Sequence, residues 1–201
     1  MPLLVVSSAR LVVATAVLFA VAVGVLHAET GYKHAVATWT SPDEVNAWIA
    51  ANFSYDAARA IRLSATQRAN DPAVAIFEPS AFFETGSGVC VDLARFGVET
   101  LRRVAPESNP RYLMLELEPV HIRGNTLRRH WLVSFRRDGK LFFFADSTRP
   151  GLIAGPYDDV AAFVTDYAAD GRRVVSFREA ETHEKPRRAR AVTRRPAPAA
   201  P

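Results

Sequence analysis

The stretch Thr85–Leu101, TGSGVCVDLARFGVETL, contains Cys90, the only cysteine in the 201-residue chain. Two glycines, Gly86 and Gly88, stand just before it. After it, apolar residues recur at helical spacing until Pro106 stops the run. The pattern predicts a helix over 88–104. Cys90, Ala94, Gly97, Val98, Leu101 and Val104 share its buried face, and Asp92, Arg95, Glu99, Arg102 and Arg103 lie mostly off it. Cys90 therefore falls in the first turn. There, unpaired backbone N–H groups and the helix dipole favour a thiolate. The glycines allow a sharp entry into the helix, and the Cys90 N–H is placed to face a developing oxyanion. Taken alone, a single cysteine also reads as a small buried hydrophobe.

A thiol nucleophile needs a base, and His130, at the start of HWLVSF, is the best candidate. Beyond Pro110 the period changes to two. RYLMLELE, RHWLVSF, KLFFFAD and RRVVSFR read as strands, and YDDVAAFVTDYAADG reads as a short helix. RRDG joins the second and third strands. A three-residue loop of Arg137, Asp138 and Gly139 would pair Arg136 with Lys140 and His130 with Asp146. A two-residue loop would put His130 and Asp146 on opposite faces. In the first register Asp146 orients the imidazole and His130 takes the thiol proton. Asp146 also suits a turn cap in DSTRP. His121 competes as base but lacks a partner carboxylate. His27, His34 and His183 fall in terminal segments. Ser87 lacks motif support as a nucleophile.

Upstream, SPDEVNAWIAANF has the marks of a helix start, with Ser41 as cap, Pro42 in the first turn, and Asp43 and Glu44 favouring the dipole. Residues 29–40 read as an extended lead-in, and 62–88 as a loop with short helical turns. Arg10 followed by an uncharged apolar run from Leu11 to Leu26 and by Ala28 reads as a secretory signal peptide. The bulky Leu26 leaves an uncleaved membrane anchor as the alternative. Either form predicts a periplasmic or secreted body, where a lone cysteine has no internal partner for a disulfide. Three parts follow: a leader at 1–28, one domain at 29–179, and a basic Pro/Ala/Arg-rich tail at 180–201 expected to be disordered.

The net charge is +4, and six basic residues between Lys185 and Pro201 more than supply it. The remainder is near neutral, which argues against nucleic acid as a partner. Hydrophobic residues make up 49% of the chain, enough for a single core. No cofactor is expected. One cysteine with scattered histidines gives no metal-ligand spacing. Gly86-Ser87-Gly88 is followed by no Lys-Ser or Lys-Thr, so it is not a phosphate loop. Trp131, Trp48 and Tyr55 read as packing residues.

Three segments together resemble the transglutaminase-like superfamily of thiol enzymes: AWIAANFSYD (47–56), TGSGVCVDLARF (85–96), and RHWLVSF followed by FFADST (129–148). The resemblance spans roughly 41–150. It implies an α+β, papain-like core in which the helix carrying the cysteine packs on an antiparallel sheet. It also implies Cys90 as nucleophile, His130 as base and Asp146 as orienting acid. Ser147 stands where the family often has proline. The family's side-chain oxyanion donor has no clear match, with Gln67 and Asn70 as open candidates. The expected function is amide chemistry through a thioester on a peptide, protein or peptidoglycan substrate. Hydrolysis is favoured over crosslinking because of the short chain. The alternative is a non-catalytic binding or assembly module of the cell envelope. The oligomeric state stays open.

Overall fold

The computed structural model describes residues 31–69, 74–122, 125–169 and 171–184. The leader at 1–28 and the tail from 185 lie outside the described residues, as does Asn70. A helix at 31–38 (α1) leads into α2 (Pro42–Asn52), β1 (Ser54–Tyr55) and α3 (Ala57–Ala69). Next come α4 (Pro79–Thr85), β2 (Ser87–Gly88) and α5 (Cys90–Val104). The second half holds β3 (Arg111–Ile122), β4 (Asn125–Arg137), β5 (Lys140–Phe144), β6 (Ala154–Tyr157), α6 (Val160–Ala169) and β7 (Val174–Ala180). The five strands β3 to β7 form an antiparallel sheet in the order β6-β5-β4-β3-β7. The expected α+β architecture is what the chain adopts.

Two elements differ from the sequence reading. Residues 31–38 are helical rather than extended. Tyr32 and Ala35 are buried there, and Val36 and Trp39 pack against the same core, a helical spacing in a very short segment. The loop expected over 62–88 instead begins inside the thirteen-residue α3, which runs to Ala69. Its buried residues include Arg59 and Leu63. A helix anchored partly by a charge leaves little hydrophobic periodicity to read. The body also continues past residue 179: Ala180 closes β7, and Glu181 pairs with Arg102 and Arg111.

α5 is buried on most of its circumference, as expected of a central helix. One side meets the sheet through Val133, Phe135, Phe144 and Ala145. The other side is covered by aromatics from α1, α2 and α4, among them a Phe83 ring stacked 4.8 Å from Trp48. The opposite face of the sheet carries Leu113, Leu115, Leu132, Leu141 and Phe143, packed under Phe163, Val164 and Tyr167 of α6. Helix and sheet approach closely at Gly97, where an added Cβ would lie 2.8 Å from Val133 Cγ2 and 3.3 Å from Phe144 Cζ. Overpacking at such a contact costs about 1–3 kcal/mol. Gly97→Ala should lower stability by that amount, read as a fall in the urea midpoint at unchanged slope.

Candidate active site

The helix that carries Cys90 is set by the glycine stretch before it. α4 ends at Gly86, whose φ of 58° is left-handed and whose added Cβ would meet Asn52 O at 2.6 Å. Ser87 and Gly88 then run parallel to Ser54 and Tyr55, with Ser54 N–H donating to Gly86 O (2.8 Å) and Asp56 N–H to Gly88 O (2.9 Å). Val89 is the extended N-cap, and Cys90 is the first helical residue, half-buried. The helix starts two residues later than the sequence pattern placed it.

Valine has no side-chain acceptor, so Val89 cannot cap the helix in the usual way. Asp92 supplies the reciprocal half of a capping box by reaching back: its Oδ2 accepts the Val89 N–H at 3.0 Å. Asp92 is fully buried, contrary to its expected place on the polar side. Arg59 of α3 is its counter-charge, donating Nε to Oδ2 at 2.7 Å and Nη2 to Oδ1 at 2.9 Å. Phe77 N–H donates to the same Oδ1 at 2.9 Å. Arg59 also donates to Ala75 O and lies 3.6 Å above the Phe77 ring centroid. The first turn of α5 is thereby tied to α3 and to the segment 75–77. Sequence reading missed both residues. Asp92 had one signal, a charge inside VCVDLA, but its partner is 33 positions away and carries none.

His130 and Asp146 do meet, though not through the expected register. The turn has two residues, Asp138 and Gly139, with φ of 52° and 76°, so Arg137 pairs with Lys140. Val133 then faces Phe144, and a regular continuation of β5 would put Asp146 on the face opposite His130. The strand stops at Phe144 instead, and Ala145 turns left-handed with φ 59°. That single residue breaks the alternation and brings Asp146 Oδ1 to 3.0 Å from His130 Nε2. A non-glycine residue in this region costs about 1–3 kcal/mol and persists only where its surroundings over-determine it; Ala145 is fully buried.

Cys90 lies close enough to His130 to favour its charged form. With Nε2 held by Asp146, Nδ1 is the ring nitrogen left for the thiol. His130 is 2% exposed. Burial opposes its charge, but the Asp146 hydrogen bond and the nearby Cys90 thiol prevail and push it up to about 9. Asp146 is held well below the usual carboxylate range: burial works against ionisation, and the His130 hydrogen bond outweighs it. Asp146 also performs the turn-capping role, its Oδ1 accepting from Thr148 N–H (2.8 Å) and Thr148 Oγ1 (2.7 Å). Arg149 Nε donates to Oδ2 at 3.2 Å. The Tyr167 ring lies 6.2 Å from the His130 ring at an interplanar angle of 21°.

The competing candidates lie elsewhere. His121 pairs with Thr126 near the far end of the β3–β4 ladder, whereas His130 pairs with Leu115. His34 is exposed, and the His183 ring lies tilted 5.7 Å from that of Tyr112. His27 and the side chain of Gln67 lie outside the described residues. Trp131 and Trp48 pack against the core as expected. Tyr55 does not: it is 46% exposed, beside Gly88.

Removing Arg59 would leave the Asp92 carboxylate buried and unpaired, a loss of about 3–5 kcal/mol. Arg59→Ala should therefore melt far below the wild type, and Arg59→Met/Asp92→Leu should recover part of the loss. Protons give a second check. His130 is raised from about 6.5 in the unfolded chain, so its contribution is complete below that pH and is lost as pH rises through about 9. The urea midpoint should decline across that window, and His130→Ala should flatten the decline.

No curated protein matches the chain. The family model for the transglutaminase-like domain matches residues 27–157, a span that holds α1 to β6, the glycine stretch before Cys90, and both His130 and Asp146. The match takes in more than half of the chain, and the fold agrees with it: the chain belongs to the transglutaminase-like domain family.

Proposed function

We propose that the protein is a thiol enzyme of the cell envelope or extracellular space, acting on amide bonds with Cys90, His130 and Asp146 as its triad. The observation that carries this reading is the buried His130, hydrogen-bonded to Asp146 on Nε2 and close enough to Cys90 for the thiol to favour its charged form. A histidine that only filled the core would need neither a half-buried thiol nor a carboxylate at 3.0 Å.

In the proposed reaction the Cys90 proton passes to His130 and the sulfur attacks the amide carbon. The tetrahedral intermediate collapses to a thioester as the imidazolium protonates the departing amine. Water, deprotonated by His130, then releases the acid and restores the thiol. Asp146 keeps the ring oriented and stabilises its charged form throughout. Thr148 and Arg149 hold the carboxylate from behind. Peptide, protein or peptidoglycan amides are the proposed substrate class, with hydrolysis favoured over transfer to an amine. The extracytoplasmic location rests on the apolar leader of the sequence.

Cys90 is the only cysteine, so iodoacetamide alkylation of the full-length protein reads one site. At neutral pH the alkylation should be faster than that of a free thiol, and His130→Ala should slow it. Asp146→Asn should cut turnover by orders of magnitude while Cys90 still alkylates. An ordinary thiol rate unaffected by His130→Ala would exclude the enzyme reading in favour of a binding module.

A further inference from the structure

A tetrahedral intermediate at Cys90 needs donors for its negative oxygen, and the backbone here offers few. Val89 N–H is already given to Asp92 Oδ2. Cys90 N–H, the first of the helix, has no intrahelical carbonyl of its own. The oxygen four residues before it, on Gly86, is taken by Ser54 N–H. Cys90 N–H is thus the backbone donor nearest the sulfur, and a side chain can supply a second.

We propose that the second donor is the phenol of Tyr55, giving its O–H hydrogen bond to the oxyanion formed when Cys90 attacks a carbonyl; the proposal rests on the thiol-enzyme reading above. Three features support it. The parallel pairing of Tyr55 with Gly88 fixes the tyrosine two residues from the nucleophile, clamped by the bonds of Ser54 and Asp56 on either side. The side chain is 46% exposed, a large aromatic left uncovered beside the half-buried thiol while the nearby aromatics Trp48, Phe82 and Phe83 pack into the core. The phenol and the thiol are also close enough to interact electrostatically: partial burial, then the charges of Cys90 and Asp56, push Tyr55 up to about 12. It thus keeps its proton at any pH at which the thiol works, which a donor must do.

In the step itself, sulfur bonds to the carbonyl carbon and the π pair moves to oxygen. Tyr55 O–H and Cys90 N–H hold that oxygen. The pair returns to re-form the carbonyl as the leaving group departs, and the tyrosine proton is never transferred.

Two reagents separate this role from a general effect on the thiol. p-Nitrophenyl acetate acylates Cys90 through an oxyanion, whereas iodoacetamide alkylates it by displacement at carbon, with no oxyanion. In the full-length protein, Tyr55→Phe should lower the ratio of acylation rate to alkylation rate by about 10²-fold, the usual loss for one oxyanion donor. An unchanged ratio overturns the proposal, whether both rates hold or both fall, since a parallel fall means that Tyr55 acts on the sulfur. A wild-type thiol that alkylates but is not acylated by the ester at all overturns the enzyme reading and this assignment with it.

Discussion

The buried pair of Arg59 and Asp92 is the interaction on which the arrangement around Cys90 depends. Two hydrogen bonds join guanidinium and carboxylate, and neither residue has appreciable contact with solvent. Such a pair gains little over a hydrophobic isostere, because desolvating both ions offsets their attraction. Its consequence here is geometric. The carboxylate holds the N–H of the N-cap residue and that of Phe77, so one side chain defines where α5 begins and where the 75–77 segment crosses it. The same Arg59 sits in the first turn of α3, whose start is capped by Asp56 Oδ1 accepting the Arg59 N–H at 2.8 Å. The residue pairing with Gly88, Tyr55, immediately precedes that cap. The surroundings of Cys90 are therefore a closed loop of contacts among α3, β1, β2 and α5.

The imidazole reaches the thiol because the sheet is incomplete at one corner. β5 pairs with β4 only as far as Val133, so His130 to Leu132 have no neighbour from β5. Asp146 occupies the vacated side after the left-handed turn at Ala145. The result is a carboxylate that serves both its own turn and the histidine. The two roles reinforce each other, because the bonds that make the turn also fix the oxygen that His130 uses. On the other side of the ring, Tyr167 of α6 stacks near His130, with Arg172 Cζ 4.5 Å from its own ring centroid. α6 thus helps seat His130 as well as covering the outer face of the sheet.

Strands with strict alternation, the capped start of α2 at Ser41, and the helix beginning near Cys90 were all legible in the sequence. They depend on near neighbours: a cap, a proline, a period of two or of 3.6. α3 was not legible, since a main anchor is a charge whose counter-charge is distant in the chain. The pairing of His130 with Asp146 is more instructive. It was expected from a three-residue turn, and the actual two-residue turn forbids it in a regular ladder. A backbone reversal at an alanine restored it. Nothing in the residue type announces that reversal, because alanine prefers the right-handed regions and adopts this one only under packing from both sides.

By itself, then, the sequence determined the helix that carries the thiol and the antiparallel hairpins, because each is written in local spacing and composition. Tertiary structure decided what those local rules cannot reach. It buried Asp92 against Arg59, left Tyr55 uncovered beside Gly88, and turned Asp146 back onto the face of His130. All three are outcomes of long-range packing, in which the free energy of a side chain depends on neighbours brought to it by the folded chain.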